Sequence, residues 1–222
     1  MPFLFPHGKS RLFGAALLVL AGSAGLTGLA ASSASAASCA AIDVVVARGT
    51  FEPGALGTIV GDPVYAAIQK ALSSSTTSSY PVNYPADLNE PASVQAGNTD
   101  LVNHLNNQVA ACPGQRFILV GYSQGANVVD NSMGISSDGA LVGGPIVATI
   151  PSPVAPKVAA VLLFGNPIRA IGTSVTGTYA ARTDDFCADQ DPVCRAGGTN
   201  IAAHLSYGND ATAAATFAAS KV

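Results

Sequence analysis

Three short apolar segments do most to limit what this chain can fold into. They are residues 42–47 (IDVVVA), 117–120 (FILV) and 159–164 (AAVLLF). Apolar runs of this length, followed by a loop, are typical of strands buried on both faces. Helical patterns separate and follow them, at residues 62–72, 93–111, 124–133 and 211–221. Buried strands that alternate with helices predict an α/β fold, in which helices cover both faces of a mostly parallel sheet.

The segments between these elements are less regular. The Ser/Thr-rich tract 73–79 is predicted to be a loop, and residues 82–84 (VNY) a short strand. Pro81 suits a sheet edge because proline cannot donate to a ladder of hydrogen bonds. Residues 179–186 are the predicted last strand. The prolines and glycines of residues 139–156 predict an apolar but irregular, partly exposed loop.

The first 36 residues have the composition of a secretory signal. Lys9 and Arg11 precede residues 12–30, which carry no charge, and Ala-Ser-Ala follows at 34–36. A basic start, an apolar middle and a small-residue cleavage site are the three parts of such a signal. We therefore expect a secreted protein, extracellular or associated with the cell wall, whose single domain is residues 37–222. The alternative is an uncleaved membrane anchor, since the uncharged run is about as long as a bilayer requires.

The charge balance argues against a nucleic-acid partner. The chain carries 13 acidic and 10 basic side chains, for a net charge of −3. Nucleic-acid binders present a basic patch that neutralises phosphates, and no such cluster is present.

The cysteine pattern predicts disulfides and no metal. All four cysteines, Cys39, Cys112, Cys187 and Cys194, lie beyond the signal segment. An even number in an exported chain indicates two disulfides, for which three pairings exist. Zinc sites use ligand pairs such as C-x-x-C, which the sequence lacks.

The clearest chemical motif is G-x-S-x-G, which residues 121–125 match as GYSQG. It follows a predicted buried strand and precedes a predicted helix, which is the setting of a nucleophile elbow. The sharp turn would expose Ser123, and the helix N-terminus would stabilise negative charge nearby. The alternative is a serine that merely caps the helix. We take Ser123 as the candidate nucleophile.

A nucleophilic serine needs a histidine base, and beyond the signal segment there are two. His104 lies in the helix before the elbow, where we expect an ordinary solvated or capping role. His204 lies downstream of the predicted last strand, in the Ser…Asp…His order of α/β-hydrolases. His204 is therefore the candidate base.

Several aspartates could orient that base. Asp184 and Asp185 are expected in the last strand or at its end. Asp189 and Asp191 both fall between Cys187 and Cys194, and position alone does not separate them. Asp130 lies two turns along the elbow helix, about 10 Å from the serine by helix rise, which makes it a poor orienter.

The mature chain resembles the cutinases and cutinase-like serine esterases, especially their secreted bacterial members. The segments that carry the resemblance are ARGTFEP (residues 47–53), NYPA (83–86), GYSQGA (121–126), FGNP (164–167), CADQDPVC (187–194) and HLSY (204–207). The resemblance implies an α/β-hydrolase sandwich without a large lid and makes Asp191, before Pro-Val-Cys, the acid. It also implies disulfides Cys39–Cys112 and Cys187–Cys194. The oxyanion hole would consist of Thr50 and the backbone N–H of Gln124, and no cofactor is required.

The resemblance also implies a monomeric enzyme acting on lipid, polyester or acylated-carbohydrate esters, with transient contact to lipid or polymer surfaces. Residues 139–156, Ile201 and Phe51 are expected to wall an acyl groove, unless 139–156 is an ordinary surface loop. Phe51 departs from the smaller residue that many members carry there. An acetylxylan-type esterase is the nearest alternative. A catalytically inert wall or antigen-like protein is another, although the complete Ser, Asp and His set argues against it.

Overall fold

The computed structural model describes residues 39–222, so the predicted cleavage site and the anchor alternative lie outside the described residues. The strands are β1 (Ile42–Ala47), β2 (Thr77–Pro81), β3 (Arg116–Tyr122), β4 (Val158–Phe164) and β5 (Thr183–Phe186). The α-helices are α1 (Gly61–Ala71), α2 (Ala92–Ala111), α3 (Gln124–Ser132), α4 (Ile201–His204) and α5 (Ala211–Ala219). Within residues 39–222, no helix is both long enough and apolar enough to cross a membrane.

The five strands form one parallel sheet in the order β2-β1-β3-β4-β5. The predicted α/β fold with a mostly parallel sheet is therefore confirmed. The chain runs from β1 outward to β2 and then returns to place β3 on the other side of β1. Such a reversal leaves a crevice at the carboxyl ends of β1 and β3, where α/β proteins usually bind their ligands.

Alternate side chains of the strands build two separate cores. Val45 and Ala47 of β1 pack on one face with α2 and α3. Val44 and Val46 of the same strand pack on the opposite face with α1 and α5. Because successive side chains of a strand point to opposite faces, an apolar strand sequence requires cover on both sides. The result is the predicted three-layer sandwich.

The second strand lies before residues 82–84, where the sequence predicted it, and those three residues are not in a strand. Thr77–Pro81 pairs with β1, so the strand includes the end of the Ser/Thr tract that was expected to be a loop. β2 is an edge strand and is half-buried throughout, so it needs no apolar run. The Ser78 hydroxyl donates to Asp43 Oδ1 at 2.6 Å, and Val82 N–H donates to Val46 O just beyond the strand. Pro81 lies at the edge, as expected.

The predicted last strand is shorter than expected. Its first half is a 3₁₀ helix, Gly177–Arg182, and only Thr183–Phe186 pairs with β4. This 3₁₀ helix begins at Gly177, which has φ +65°, two residues before the predicted strand. The Thr183 hydroxyl then donates to Tyr179 O at 2.9 Å and closes the last turn before the strand.

Two disulfides join distant and neighbouring parts of the chain. Cys39 is bonded to Cys112, which ties the start of the domain to the end of α2. Cys187 is bonded to Cys194 and closes a loop directly after β5. These are the pairs that the family resemblance implies.

Candidate active site

The serine of GYSQG occupies a strained turn between β3 and α3. Ser123 has φ 55° and ψ −119°, a backbone conformation that is rare for residues with a side chain. Its N–H donates to Phe164 O of β4 at 2.9 Å. The flanking glycines serve a different need: a Cβ on Gly121 would lie 2.6 Å from Gly125 O, and one on Gly125 would lie 1.9 Å from Ala47 O. In the elbow, the strained backbone conformation is therefore that of the serine, and the positions with no room for a side chain are those of the glycines.

His204 ends the short helix α4 and is 6% exposed. Its Nδ1 lies 2.9 Å from Asp191 Oδ2, which leaves Nε2 as the nitrogen on the other side of the ring. The Tyr122 hydroxyl donates to the backbone oxygen of His204 at 2.8 Å. Gly165 (φ +56°) packs against the ring, where a Cβ would lie 2.7 Å from Cε1. Groups from three separate segments therefore fix the position of the imidazole.

Asp191 is fully buried in the disulfide loop and accepts three hydrogen bonds. Oδ1 accepts from Val193 N–H at 2.8 Å, while Oδ2 accepts from the Tyr207 hydroxyl at 2.5 Å and faces His204 Nδ1. Burial, and then the hydrogen bond to Asp191, raise the pKa of Tyr207, so its hydroxyl stays a donor. These three contacts fix the orientation of the carboxylate toward His204.

The other aspartates near this stretch are placed differently. The Asp189 side chain is 82% exposed and lies 3.7 Å from Arg195. Asp184 and Asp185 belong to β5, as expected. Burial raises the pKa of Asp185 to about 6, although Arg169 opposes the change. Of the acids considered from the sequence, Asp191 is the one hydrogen-bonded to His204.

Asp130, in the elbow helix, is buried and forms no salt bridge within residues 39–222. Neither carboxylate oxygen has a hydrogen-bond partner within residues 39–222. Burial raises its pKa well above the ordinary value, and the charge of Asp185 raises it further, while the Asn166 amide lowers it. A raised pKa means that the folded state holds the proton when the unfolded chain has already released it. This carboxyl therefore destabilises the fold as the pH rises above its unfolded pKa, which is about 4.

Replacing Asp130 by asparagine is expected to raise the melting temperature at pH 7 by at least about 3 °C, which is roughly 1 kcal/mol in a domain of this size. The gain should shrink toward pH 4, where the wild-type carboxyl is protonated in both states. Thermal melts of wild type and Asp130→Asn between pH 4 and 8 provide the measurement. Asp189→Asn, which changes an exposed carboxylate, should leave the profile unchanged. A gain that does not depend on pH would contradict the argument.

Thr50 follows β1 and lies at the same pocket as Ser123. Its Oγ1 is buried and has no hydrogen-bond partner among the described residues. The loop that holds it is organised by Glu52, which is 5% exposed. Glu52 Oε2 accepts from Gly49 N–H at 2.7 Å, and Oε1 accepts from the N–H groups of Ile59 and Val60 at 2.8 and 3.1 Å. Burial raises the pKa of Glu52, and these three donors oppose that change.

Gln124 opens α3, so helix geometry leaves its backbone N–H without an intrahelical acceptor. Its side chain is fully buried and donates from Nε2 to Asp87 O at 2.7 Å and to Glu90 Oε1. Oε1 in turn accepts from the Ser93 hydroxyl at 3.0 Å. Three side-chain contacts thus hold the residue whose N–H lies beside Ser123.

Ser123 and His204 line one pocket of about 280 Å³. Thr50, Glu52 and Tyr122 are among its other lining residues and carry polar groups. The remaining lining residues are apolar: Ile59, Leu88, Leu141, Val142, Val193 and Leu205. The segment 139–156 therefore contributes two residues, whereas Phe51 and Ile201, which were also expected to wall the groove, are not among the lining residues. Both are exposed, at 69% and 59%.

His104 is neither solvated nor a helix cap, so that expectation is wrong. Its Nε2 lies 2.7 Å from Oδ2 of buried Asp43, and its ring stacks on Tyr80 with centroids 3.5 Å apart. Asp43 lies near the amino end of β1, whereas Ser123 follows the carboxyl end of β3. The two residues are therefore at opposite ends of the parallel strands. The pair joins α2 to the sheet. Within residues 39–222, no group of three or more His, Cys, Asp or Glu side chains could hold a metal ion.

Three residues that support the site had no role in the sequence analysis: Glu52, Tyr122 and Tyr207. Each lies inside a segment that carries the family resemblance, in ARGTFEP, GYSQGA and HLSY respectively. Their position inside these segments was the signal that could have identified them. What they contact depends on loops far apart in the chain, which the residue types alone do not specify.

Comparison with known proteins assigns the chain and its fold to a family. Residues 38–222 match the family model described as Cutinase. A cutinase of Kineococcus radiotolerans is 42% identical over 187 residues, which cover 82% of this chain and 61% of that relative's length. The structure of a Trichoderma reesei cutinase with a phosphonate inhibitor superposes with a TM-score of 0.67 and 32% identity, covering 81% of this chain and 75% of that one. An acetylxylan esterase structure gives a TM-score of 0.70 at 25% identity, covering 83% and 99%.

Proposed function

This chain belongs to the cutinase family and is a carboxylic ester hydrolase, and from that premise we propose that it works through a Ser123, His204 and Asp191 triad. The observation that carries the proposal is the arrangement of these groups. Ser123 and His204 line one pocket, and His204 Nδ1 lies 2.9 Å from a buried carboxylate. An orienting acid on Nδ1 leaves Nε2 to act as the base toward the pocket.

The reaction passes through an acyl-enzyme. Ser123 Oγ attacks the ester carbonyl while His204 Nε2 takes the hydroxyl proton, and Asp191 stabilises the imidazolium. His204 then gives this proton to the leaving alkoxide, and the alcohol departs. Water next attacks the acyl group with His204 again as base. Collapse of this second intermediate releases the carboxylic acid and restores the Ser123 hydroxyl.

The negative oxygen of each intermediate is stabilised by the Thr50 hydroxyl and the Gln124 N–H. The support is that Thr50 Oγ1 is a buried donor with no partner within the described residues and that Thr50 lines the same pocket as Ser123, while the Gln124 N–H is the first of α3. Donors that have no partner before the reaction can bind the developing negative charge without first breaking another hydrogen bond or moving. Glu52 and the side-chain contacts of Gln124 hold the two donors in place.

The substrate is an ester with an apolar acyl chain, of the lipid or polyester type. Aliphatic side chains line the pocket beyond the serine. Leu88, Leu141 and Leu205 at its rim are each more than half exposed. An exposed apolar rim of this kind favours transient contact with a lipid or polymer surface.

A second candidate function is removal of acetyl groups from a polysaccharide. The observation in its favour is the structural likeness to an acetylxylan esterase, which covers nearly all of that protein. An acetyl group would use little of the apolar lining, so the two candidates differ in the acyl length they prefer.

The enzyme acts outside the cell after removal of residues 1–36. The two disulfides support this location, because such bonds persist in oxidising compartments. The basic, apolar and small-residue order of the first 36 residues supports export.

Two measurements on the secreted protein test the proposal. A fluorophosphonate should label the folded enzyme on the peptide that contains Ser123, and heat-unfolded protein should remain unlabelled. With p-nitrophenyl esters, kcat/KM for butyrate should exceed that for acetate by about 10-fold or more, since each methylene in an apolar pocket adds binding. Absence of labelling would overturn the serine mechanism. A preference for acetate, with release of acetate from acetylated xylan, would favour the second candidate.

A further inference from the structure

One turn of the loop between α3 and β4 contributes apolar lining to the pocket. Leu141 and Val142 line the pocket, and the Gly143 N–H donates to Ala140 O at 3.1 Å to close the turn. Val142 has φ 47°. A positive φ at the third position of a turn is normally taken by glycine or asparagine, and for a β-branched residue it is a strained conformation. Something outside the turn must therefore hold it in this form.

The restraint comes from the elbow helix itself. Asn127 lies one helical turn after Ser123, is fully buried, and donates from Nδ2 to Leu141 O at 2.9 Å. That carbonyl belongs to the peptide between Leu141 and Val142, whose orientation gives Val142 its positive φ. The oxygen of the same side-chain amide, Asn127 Oδ1, is buried without a partner in the described part of the chain. The Asn127 side chain therefore makes one hydrogen bond, to Leu141 O, and its Oδ1 atom makes none within the described residues.

We propose that Asn127 is a specificity-determining positioning residue, which fixes the wall formed by Leu141 and Val142 relative to Ser123. This inference rests on the proposed function, because it concerns the acyl pocket of that site. With the amide in place, the helix that carries the nucleophile also sets the distance to the apolar wall. Without it, the peptide is free to rotate toward the conformation that valine prefers, and the wall no longer has a defined position.

A second asparagine provides a matched comparison. Asn98 of α2 is also fully buried and also holds this loop, but at Val147 and Ala148, neither of which lines the pocket. It donates to the Ser132 hydroxyl and to Ala148 O, and it accepts from both backbone N–H groups. Asn98 therefore makes four hydrogen bonds where Asn127 makes one, so its loss should cost more stability.

Substitution of each asparagine by leucine separates positioning from stability. For Asn127→Leu we expect the ratio of kcat/KM for p-nitrophenyl butyrate to that for acetate to fall about 5- to 10-fold, with the acetate value changed less than about twofold. For Asn98→Leu we expect the larger drop in melting temperature and an unchanged ratio. If either leucine variant does not fold, the serine variant at the same position is measured instead.

The outcomes distinguish failure of the role of Asn127 from failure of the serine mechanism. A wild-type enzyme that hydrolyses both esters and an Asn127→Leu variant with the wild-type ratio would overturn the role of Asn127 alone. An equal change of ratio in the Asn98 variant would also overturn it, since general loosening of the loop would then suffice. Absence of fluorophosphonate labelling in the wild type would instead reject the serine mechanism on which the inference depends.

Discussion

Ester hydrolysis by the Ser123→Ala variant is expected to fall by at least about 10⁴-fold in kcat. In the proposed mechanism the Ser123 hydroxyl is the group that becomes acylated, so alanine leaves no atom to carry the acyl intermediate. What remains is catalysis by the oxyanion donors and by substrate binding. The fold should be retained, because the Ser123 side chain lines the pocket and the backbone strain is already present. We expect the melting temperature to change by less than about 2 °C.

The measurement is steady-state hydrolysis of p-nitrophenyl butyrate, together with a thermal melt. Ser220→Ala is the matched control, because this serine is exposed at the end of α5 and its hydroxyl contacts only Phe217 O. Turnover in the Ser123 variant above about 1% of the wild-type value would reject Ser123 as the nucleophile. Loss of activity in both variants would point to damage elsewhere in the fold.

The sequence was most informative where function depends on local structure. A buried strand, the GYSQG turn and a helix are contiguous, so the elbow and Ser123 could be located without knowledge of distant contacts. His204 could be selected because histidine is scarce. The same reasoning misjudged His104, since its partners Asp43 and Tyr80 come from two strands that are distant in the chain.

Sequence reasoning failed where the decisive contact depends on the shape of a loop. The strand β2 was misplaced because an edge strand that is half-buried does not need an apolar pattern. Likewise, nothing local to Glu52 shows that its carboxylate accepts three backbone N–H groups, one of them from Val60. Position alone also left Asp189 and Asp191 unseparated, and only the family resemblance favoured Asp191, because the loop between Cys187 and Cys194 buries one carboxylate and exposes the other.

This difference in burial makes the two aspartates a sharp test of the proposed acid. In Asp191→Asn, an amide N–H₂ at the Oδ2 position would face two donors, His204 Nδ1 and the Tyr207 hydroxyl. The histidine would then favour the tautomer with its proton on Nε2, which cannot accept the proton of Ser123. We expect kcat at pH 7 to fall by about 10⁴-fold. In Asp189→Asn, an exposed side chain loses a weak contact with Arg195, and kcat should change less than twofold.

Both variants keep the volume of the side chain, so the comparison isolates the charge and the hydrogen bonding of each position. The readout is kcat for p-nitrophenyl butyrate, with thermal melts to show that each variant is folded. Fluorophosphonate labelling of Asp191→Asn should slow in the same proportion, because it requires the same removal of the Ser123 proton. If Asp189→Asn shows the larger loss, or if the two variants lose activity equally, then Asp191 is not the residue that orients His204.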